Sequence, residues 1–410
     1  MRLALALAIL MVLTAVGVLR WPMSGASGAA LPRADDVLRP LTTTTPLPHP
    51  TPTPLPPPDP TPHGRSIIVG QPLPTPPRSP AAIVPGNAHR LVEVGRIAVG
   101  GNTPIGLPTF TRDGKRLIGT TDRLVVWRMP DLEVDKVIGP SSSVGAPSYL
   151  PGLAVSPDGQ LAAVPNRDGL GSVDLYALAI GERARQHRGG QQAGVAINGA
   201  GTLLAVPRQD ASVNVYDVAS GALLRSVGGA SGRYTGAAFH PGRDEIASGI
   251  GGRNVRLWDA RSGAEVRLLT EPDVGGHSLL STLEFSPDGA LLAAHFRRPT
   301  NGVIIVWRET EVVARLTFAQ GYYMRRLAWS PDGRLLAARG DDGGVALWDV
   351  AAGRVVGRIA GMGNQPTFSP DGALLVVDDY TPDEGAHLRV LAVRPRVPLL
   401  LPALHSDGRP

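Results

Sequence analysis

A turn motif that recurs at a regular interval is the feature that most constrains the fold. Pro at its second position presets φ, Asp bonds its own backbone, and Gly adopts positive φ, so Ser-Pro-Asp-Gly favours a tight turn. The motif or a close variant occurs at 111–114 (TRDG), 156–159 (SPDG), 198–201 (NGAG), 240–243 (HPGR), 286–289 (SPDG), 330–333 (SPDG) and 369–372 (SPDG). A turn-rich unit repeating every ~40–45 residues is typical of a β-propeller blade.

Each turn lies inside a set of short strands. The residue before each turn ends the first strand: Phe110, Val155, Ile197, Phe239, Phe285, Trp329 and Phe368. The third strand of each set alternates in polarity and ends near Trp127, Tyr176, Tyr216, Trp258, Trp307, Trp348 and, in a degenerate form, Leu391. Seven turns and seven third strands predict an all-β fold, a seven-bladed propeller of four-stranded antiparallel blades.

The two ends of the repeat region predict how the ring closes. Sets one to six are each followed by a fourth strand, but the seventh is followed by RPRVPLLLP, where Pro395 and Pro398 oppose strand pairing. Residues 91–99 (LVEVGRIAV) resemble a fourth strand and have no set before them. We therefore expect them to complete the last blade, with the side chains Leu91, Val92, Val94, Ile97 and Val99 buried. Trp258 and Trp348 are also expected to be buried between sheets.

The region before the ring differs sharply in composition. Arg2 precedes a predominantly apolar run at 3–19, and small residues follow at 24–29. We interpret residues 1–30 as a signal peptide or a membrane anchor; the length of the run leaves both open. Residues 31–88 are rich in Pro and Thr and predict a disordered linker. The propeller is assigned to 89–394 and a tail to 395–410. This order indicates an exported protein of a bacterial cell, membrane-anchored or secreted into the periplasm or beyond.

The charge of the chain does not indicate nucleic-acid binding. Lys and Arg total 40 against 35 Asp and Glu, but Arg supplies nearly all of the positive charge and no run of five like charges occurs. This pattern is typical of a composition bias. The absence of cysteine excludes disulfides and thiolate metal sites, but it does not exclude export.

The residues at the ends of the third strands resemble the WD-repeat β-propeller family. LWDARSG (257–263) and LWDVAAG (347–353) are closest to the family pattern, and Gly276-His277 matches its Gly-His pair. The turn Asp of the family is present as Asp210 and Asp342 and is replaced by Asn301 in another blade, but no blade keeps His, Asp and Trp together. The SPDG turns are also similar to those of periplasmic propellers that accompany outer-membrane transport. Those repeats lack the Trp-Asp ending, so a transport accessory is the second interpretation.

Motifs for catalysis are not found in the sequence. No G-x-S-x-G nucleophile elbow, H-E-x-x-H helix or phosphate-binding glycine loop is present. Histidines at 187, 240, 277, 295 and 387 are spread over the blades; His240 replaces Ser in a turn, and His277 matches the structural His of the family. A lactonase or hydrolase propeller, with channel residues such as His277 or His295 in its site, is the third interpretation. We expect no enzyme, cofactor or metal.

The function that the sequence favours is a non-catalytic protein-interaction scaffold at the cell envelope, acting as a monomer. The resemblance implies that the loops between strands two and three and those before each strand one share the narrower face. These loops carry Arg and Tyr, which are enriched at interface hot spots. The candidate binding residues are Arg167, Arg208, Arg233, Tyr234, Arg253, Arg297, Arg298, Tyr322, Tyr323, Arg325 and Arg339. Asp378, Asp379, Asp383 and Glu384 interrupt them in blade seven. We expect an anionic protein partner.

Overall fold

A computed structural model describes residues 70–72 and 80–394, apart from 99–105, 122, 140–151, 167–171, 188–193, 209, 230–235, 251–253, 271–278, 299–300, 320–325, 362–364 and 382–384. All of them belong to one unit of the chain, His63–Pro410. The segment at 1–30, most of the linker and the tail lie outside these residues, so the predictions made for them stay predictions. Within the described part, no helix combines the length and the apolar character needed to cross a membrane.

The described residues form a ring of seven antiparallel sheets, which confirms the predicted seven-bladed propeller. Two strands, β1 (Gly70–Pro72) and β2 (Leu91–Ala98), precede the first blade, and a short 3-10 helix (Ala88–Arg90) leads into β2.

The strands of each later blade follow in chain order. Blade one contains β3 (Gly106–Phe110), β4 (Arg116–Thr120), β5 (Leu124–Arg128) and β6 (Glu133–Ile138). Blade two contains β7 (Ala154–Val155), β8 (Leu161–Pro165), β9 (Val173–Ala177) and β10 (Glu182–His187). Blade three contains β11 (Ala196–Ile197), β12 (Leu203–Pro207), β13 (Ser212–Asp217) and β14 (Leu223–Gly228).

Blades four to seven repeat the same arrangement. Blade four contains β15 (Ala237–Phe239), β16 (Glu245–Ile250), β17 (Asn254–Asp259) and β18 (Glu265–Thr270). Blade five contains β19 (Leu279–Phe285), β20 (Leu292–Arg297), β21 (Gly302–Arg308) and β22 (Glu311–Phe318). Blade six contains β23 (Ala328–Trp329), β24 (Leu335–Arg339), β25 (Val345–Asp349) and β26 (Arg354–Ile359), and blade seven contains β27 (Thr367–Phe368), β28 (Leu374–Thr381) and β29 (Gly385–Val393).

The predicted closure is confirmed, because β2 is the fourth strand of blade seven. It pairs antiparallel with β29 from Leu91 opposite Val393 to Ala98 opposite His387. Of the side chains expected to be buried there, Ile97 is fully buried, Leu91, Val92 and Val94 are half-buried, and Val99 lies outside the described residues.

The structure adds contacts before the predicted start of the ring. β1 pairs with the outer edge of β2 and makes blade seven five-stranded. Ile83 and Ala88 are buried in the core shared by blades six and seven. Both segments fall within the predicted linker, so contacts with the ring begin before residue 89.

Charged side chains reinforce the closing strand. The Glu93 carboxylate in β2 accepts hydrogen bonds from Arg96 Nε and from Arg389 Nε in β29, both at 2.8 Å. Arg389 also donates to Asp379 of β28 at 3.2 Å and to the carbonyl oxygen of Ala360 at 2.5 Å. Burial alone would raise the pKa of Glu93, but the two arginine hydrogen bonds lower it below its ordinary value. The first and last parts of the ring are therefore joined by side chains as well as by backbone.

The Ser-Pro-Asp-Gly turns adopt one repeated geometry. In blade six, Ser330 Oγ donates to Asp332 Oδ1 at 2.5 Å and accepts the N–H of Leu335 at 2.9 Å. Gly333 has φ of 68°, a conformation that disfavours any side chain. His240 fills the serine position in blade four, where its Nδ1 accepts the N–H of Gly242 at 3.1 Å. The turn role predicted for His240 is thus confirmed.

A β-bulge lies opposite the end of the third strand in every blade. In blade six, Leu347 faces Gly357 and Trp348 faces Val355, so the fourth strand carries one additional residue. The same shift occurs beside Trp127, Tyr176, Tyr216, Trp258 and Trp307, and also beside Leu391. The bulge confirms that Leu391 is the counterpart of the aromatic residues.

The tryptophans at this position differ in burial. Trp127 and Trp307 are almost fully buried, at 0% and 1% exposure. Trp258 and Trp348 pack against the cores between sheets but are only half-buried, so the prediction of full burial was wrong for these two. The Trp258 indole N–H donates to Oγ of the buried Ser248 at 3.0 Å.

Candidate functional site: the central channel and its mouth

The first strands of all seven blades surround a cavity of about 1050 Å³. Its wall includes Phe110, Ile197, Phe285, Trp329 and Phe368, which end five of these strands. The volume is at the upper end of the range for small-molecule sites. The channel is thus a cavity large enough to hold a small molecule.

The wall of the channel is chemically asymmetric. Blades two, three and four contribute small residues: Gly152, Ala154, Gly194, Ala196, Gly236 and Ala238. Blades five, six, seven and one contribute polar residues: Thr282, Glu284, Arg326, Thr367 and Thr109. The half of the channel formed by blades two to four is therefore uncharged, and the other half carries the charged side chains.

Two opposite charges lie in the polar half. Arg326 of blade six reaches past blade seven to blade one, where its Nη1 donates to the carbonyl oxygen of Pro108 at 2.7 Å and to Thr109 Oγ1 at 3.1 Å. Glu284 belongs to β19 of blade five, and its carbonyl oxygen accepts the Trp329 indole N–H at 3.2 Å. Both residues are half-buried and line the cavity.

The channel environment disfavours both charges. Burial raises the pKa of the Glu284 carboxyl, and nearby Arg326 offsets this only in part. Burial likewise lowers the pKa of the Arg326 guanidinium, against the effect of Glu284. The two groups are close enough to interact, but neither fully compensates the loss of solvent around the other.

A serine and a histidine come together behind the channel wall. Ser281 Oγ lies 2.5 Å from Nδ1 of His295, and Ser281 contributes to the cavity wall. Burial lowers the pKa of His295 to about 3, with Arg297 as a second cause. The Nε2 atom of His295 is buried without a hydrogen-bond partner. An imidazole with so low a pKa, and without an acid to orient it, is a weak general base near neutral pH.

The other histidines do not join this pair. His187 packs against Tyr216 with ring centroids 4.6 Å apart, and burial, followed by the charge of Arg185, lowers its pKa. His387 Nδ1 lies 3.1 Å from the carbonyl oxygen of Gly385. His277 lies outside the described residues. Within those residues, no three His, Cys, Asp or Glu side chains are placed to hold a metal ion.

Four of the predicted binding residues are described, and they occupy one end of the second strands. Arg208 follows β12, Arg297 ends β20 and Arg298 follows it, and Arg339 ends β24. Arg297 is exposed and also lines the cavity, so this end of the blades borders one opening of the channel, which we call the channel mouth. Outside the described residues lie Arg167, Arg233, Tyr234, Arg253, Tyr322, Tyr323 and Arg325.

Acidic residues reduce the positive charge of this end. Asp210 lies 3.8 Å from Arg208 as an ion pair. Two of the acidic residues that were predicted to interrupt the basic surface in blade seven have partners within the protein. Asp378 accepts hydrogen bonds from Gln365, and Asp379 accepts one from Arg389. Asp383 and Glu384 lie outside the described residues. Three basic residues, Arg297, Arg298 and Arg339, are also found at this end, with Asp341 and Asp342 close to Arg339 in the sequence.

The charged pair in the channel was missed in the sequence, although a signal was present. Glu284 directly precedes Phe285, the last residue of its first strand. The corresponding residues of the other blades are small: Thr109, Ala154, Ala196, Ala238, Ala328 and Thr367. A comparison of the repeats position by position would have marked Glu284 as the exception.

Comparisons with known proteins agree with the architecture. Residues 283–365 match the model of the anaphase-promoting complex subunit 4 WD40 domain. The chain is similar to Protein LST8 homolog of Drosophila melanogaster, with 32% identity over 27% of this chain and 35% of that protein. It is also similar to Protein tipD of Dictyostelium discoideum, with 26% identity over 27% of this chain and 18% of that protein. The chain thus spans about a third or less of the length of these relatives. Together, the WD40 match and the seven four-stranded blades support a place among the WD-repeat propellers.

Proposed function

We propose that the protein is a non-catalytic scaffold that binds a protein partner at the mouth of its channel. The observation that supports this most directly is the placement of Arg297, Arg298 and Arg339 at one end of adjacent blades. Arginine is enriched at interface hot spots, and a rigid ring holds these side chains in a fixed arrangement. The matched WD40 model is itself named for a subunit of a multi-protein complex.

The charge of the mouth favours an acidic partner surface. Arginines at a surface attract an anionic partner over a Debye length of about 8–10 Å at moderate salt, and this attraction weakens as salt increases. The proposed partner is a protein with an acidic patch, bound by one copy of the propeller.

We also propose that the propeller acts at the cell envelope, outside the cytoplasm. The apolar run at 3–19 and the Pro-rich stretch after it support an exported domain held at a distance from a membrane. Mass spectrometry of the natural N-terminus tests this, with an end at residues 24–32 expected for a cleaved signal and Met1 for an anchor. An intact protein found in the cytosolic fraction would overturn both alternatives.

Charge reversal at the mouth tests the scaffold proposal. We expect the triple variant Arg297→Glu, Arg298→Glu and Arg339→Glu to lose at least tenfold in affinity for a partner captured from the native envelope by cross-linking. The affinity of the unmodified protein should fall as salt rises, and that of the variant should change little.

A matched control has the same change in charge at the opposite end of the blades. Arg112, Lys115 and Arg334 lie in or beside the Ser-Pro-Asp-Gly-type turns and are exposed. Their replacement by Glu should leave affinity within about twofold, because surface charges far from the contact are screened. Equal losses in both triple variants would show that overall charge, not the mouth, governs binding.

A further inference from the structure

The carboxylate of Glu284 and the guanidinium of Arg326 are neighbours that do not touch. Among the described residues, the Glu284 carboxylate forms no hydrogen bond and has no ion pair within 4.0 Å. Arg326 instead donates hydrogen bonds to Pro108 and Thr109 of blade one. A gap therefore separates two opposite charges in one half of the channel.

Leaving such charges without a partner is costly in a region of reduced solvation. Burial shifts the pKa of each group toward its neutral form, so the present surroundings, including the hydrogen bonds of Arg326 to Pro108 and Thr109, do not fully compensate either charge. A cation alone would satisfy Glu284 but would be repelled by Arg326. An anion alone would satisfy Arg326 but would be repelled by Glu284. Only a group with both charges gains from both side chains.

We propose that the channel binds a small zwitterion, an α-amino acid or a molecule of similar charge pattern, with its ammonium group on Glu284 and its carboxylate on Arg326. This site is distinct from the proposed partner surface, because it lies within the channel and uses the opposite charges of two inner residues.

The rest of the channel has room for the remainder of such a ligand. The cavity of about 1050 Å³ is several times larger than an amino acid needs, so side chains of different size fit. The cavity wall formed by blades three and four includes Gly194 and Gly236, which carry no side chain of their own. A Cβ atom added at Gly236 would meet no other atom within 4 Å, so this position opens directly on free space.

Calorimetric titration of the full chain with L-phenylalanine tests the charge pattern. Two analogues serve as matched probes: N-acetyl-phenylalanine, which lacks the ammonium group, and phenethylamine, which lacks the carboxylate. We expect L-phenylalanine to bind and each analogue to bind at least tenfold more weakly. Glycine should also bind, since it retains both charges.

Three variants test the location. Glu284→Gln and Arg326→Gln should each weaken binding of L-phenylalanine at least tenfold, and Gly236→Phe should also weaken it, because it places a bulky side chain in the channel while leaving both charges in place. Glu311→Gln and Arg334→Gln change exposed residues outside the channel and should bind as the unmodified protein does. If Arg326→Gln does not fold, Glu284→Gln and Gly236→Phe still decide the outcome.

Three results would overturn the proposal. The first is no binding of either zwitterion at concentrations on the order of 10 mM, where even weak sites are occupied. The second is equal binding of L-phenylalanine and its two analogues. The third is unchanged binding by the folded Gly236→Phe variant. None of these results bears on partner binding at the mouth, so the two proposals can fail separately.

Discussion

Trp307 and Trp348 occupy equivalent positions in adjacent blades but bury different amounts of surface. Trp307 is 1% exposed and packs edge to face on Phe296, with ring centroids 6.2 Å apart. Trp348 is half-buried and contacts Phe318 at 5.3 Å. Because the cost of truncation follows the area and volume lost, the two positions should respond differently to the same change.

We expect Trp307→Ala to lower the free energy of unfolding by ~3–5 kcal/mol and Trp348→Ala by ~1–3 kcal/mol. Urea unfolding followed by circular dichroism measures both. Equal losses would mean that the outer side of blade six is as tightly packed as that of blade five, in conflict with the half-burial of Trp348.

Glu93 contributes to stability in a manner that depends on pH. Its folded-state pKa is held below the ordinary value of 4.5 by Arg96 and Arg389, despite burial. A carboxylate with a lowered folded pKa stabilises the protein above its unfolded pKa, and this contribution is lost as pH falls through the folded value. The stabilisation by the Glu93 carboxylate is therefore lost as the pH decreases below about 4.5.

We expect Glu93→Gln to reduce the free energy of unfolding by ~1.5–3 kcal/mol at neutral pH, the range for hydrogen bonds to charged groups. The difference from the unmodified protein should shrink as pH decreases below about 4.5. Unfolding midpoints measured across pH test this, with exposed Glu311→Gln as the control. A difference that stays constant down to acidic pH would assign the loss to packing rather than to charge.

At the scale of elements, the closing strand is the one on which the ring depends. β2 pairs with β29 along its whole length, and its Ile97 side chain is fully buried. β1 pairs only with the outer edge of β2 and spans three residues. Removing β2 exposes the edge of β29. Removing β1 exposes only the outer edge of β2, which then resembles the outer edges of the other six blades.

We expect deletion of residues 91–98 to cause aggregation or a large decrease in melting temperature, because the loss is comparable with the whole stability of a domain. Deletion of residues 70–72 should change the melting temperature little. Scanning calorimetry with light scattering measures both effects. A soluble 91–98 deletion with an unchanged melting curve would contradict closure by β2.

The elements themselves were predictable because each depends on local chemistry. Turn residues with special backbone preferences, such as Gly333, indicate the ends of strands directly. The alternation of polarity identifies the third strands, even where Leu391 replaces an aromatic residue. The hydrogen bond from the Trp258 indole to Ser248 was not predictable, because it depends on how the side chains of two neighbouring strands pack.

For the whole molecule, the ring was predictable but the channel was not. The period of the repeats predicts how many blades close the ring, since each blade needs a neighbour on both faces. The proximity of Glu284 and Arg326 arises from residues of different blades meeting at the axis. Arg326 bonds with Pro108, a residue more than two hundred positions away, which no local pattern indicates. The face around Arg297 was predicted from the family resemblance, and its binding role remains to be tested.

Closure by β2 also determines the order in which the ring can be completed during synthesis. β2 leaves the ribosome before any blade, yet its partner β29 lies at the far end of the propeller, almost three hundred residues later. Translation at ~5–20 residues per second imposes a delay of roughly 15–60 seconds before the two strands can meet. For that time, β2 has an inner edge that is open to pairing with other chains. A chain interrupted before residue 385 would hold six complete blades and still be unable to seal its ring.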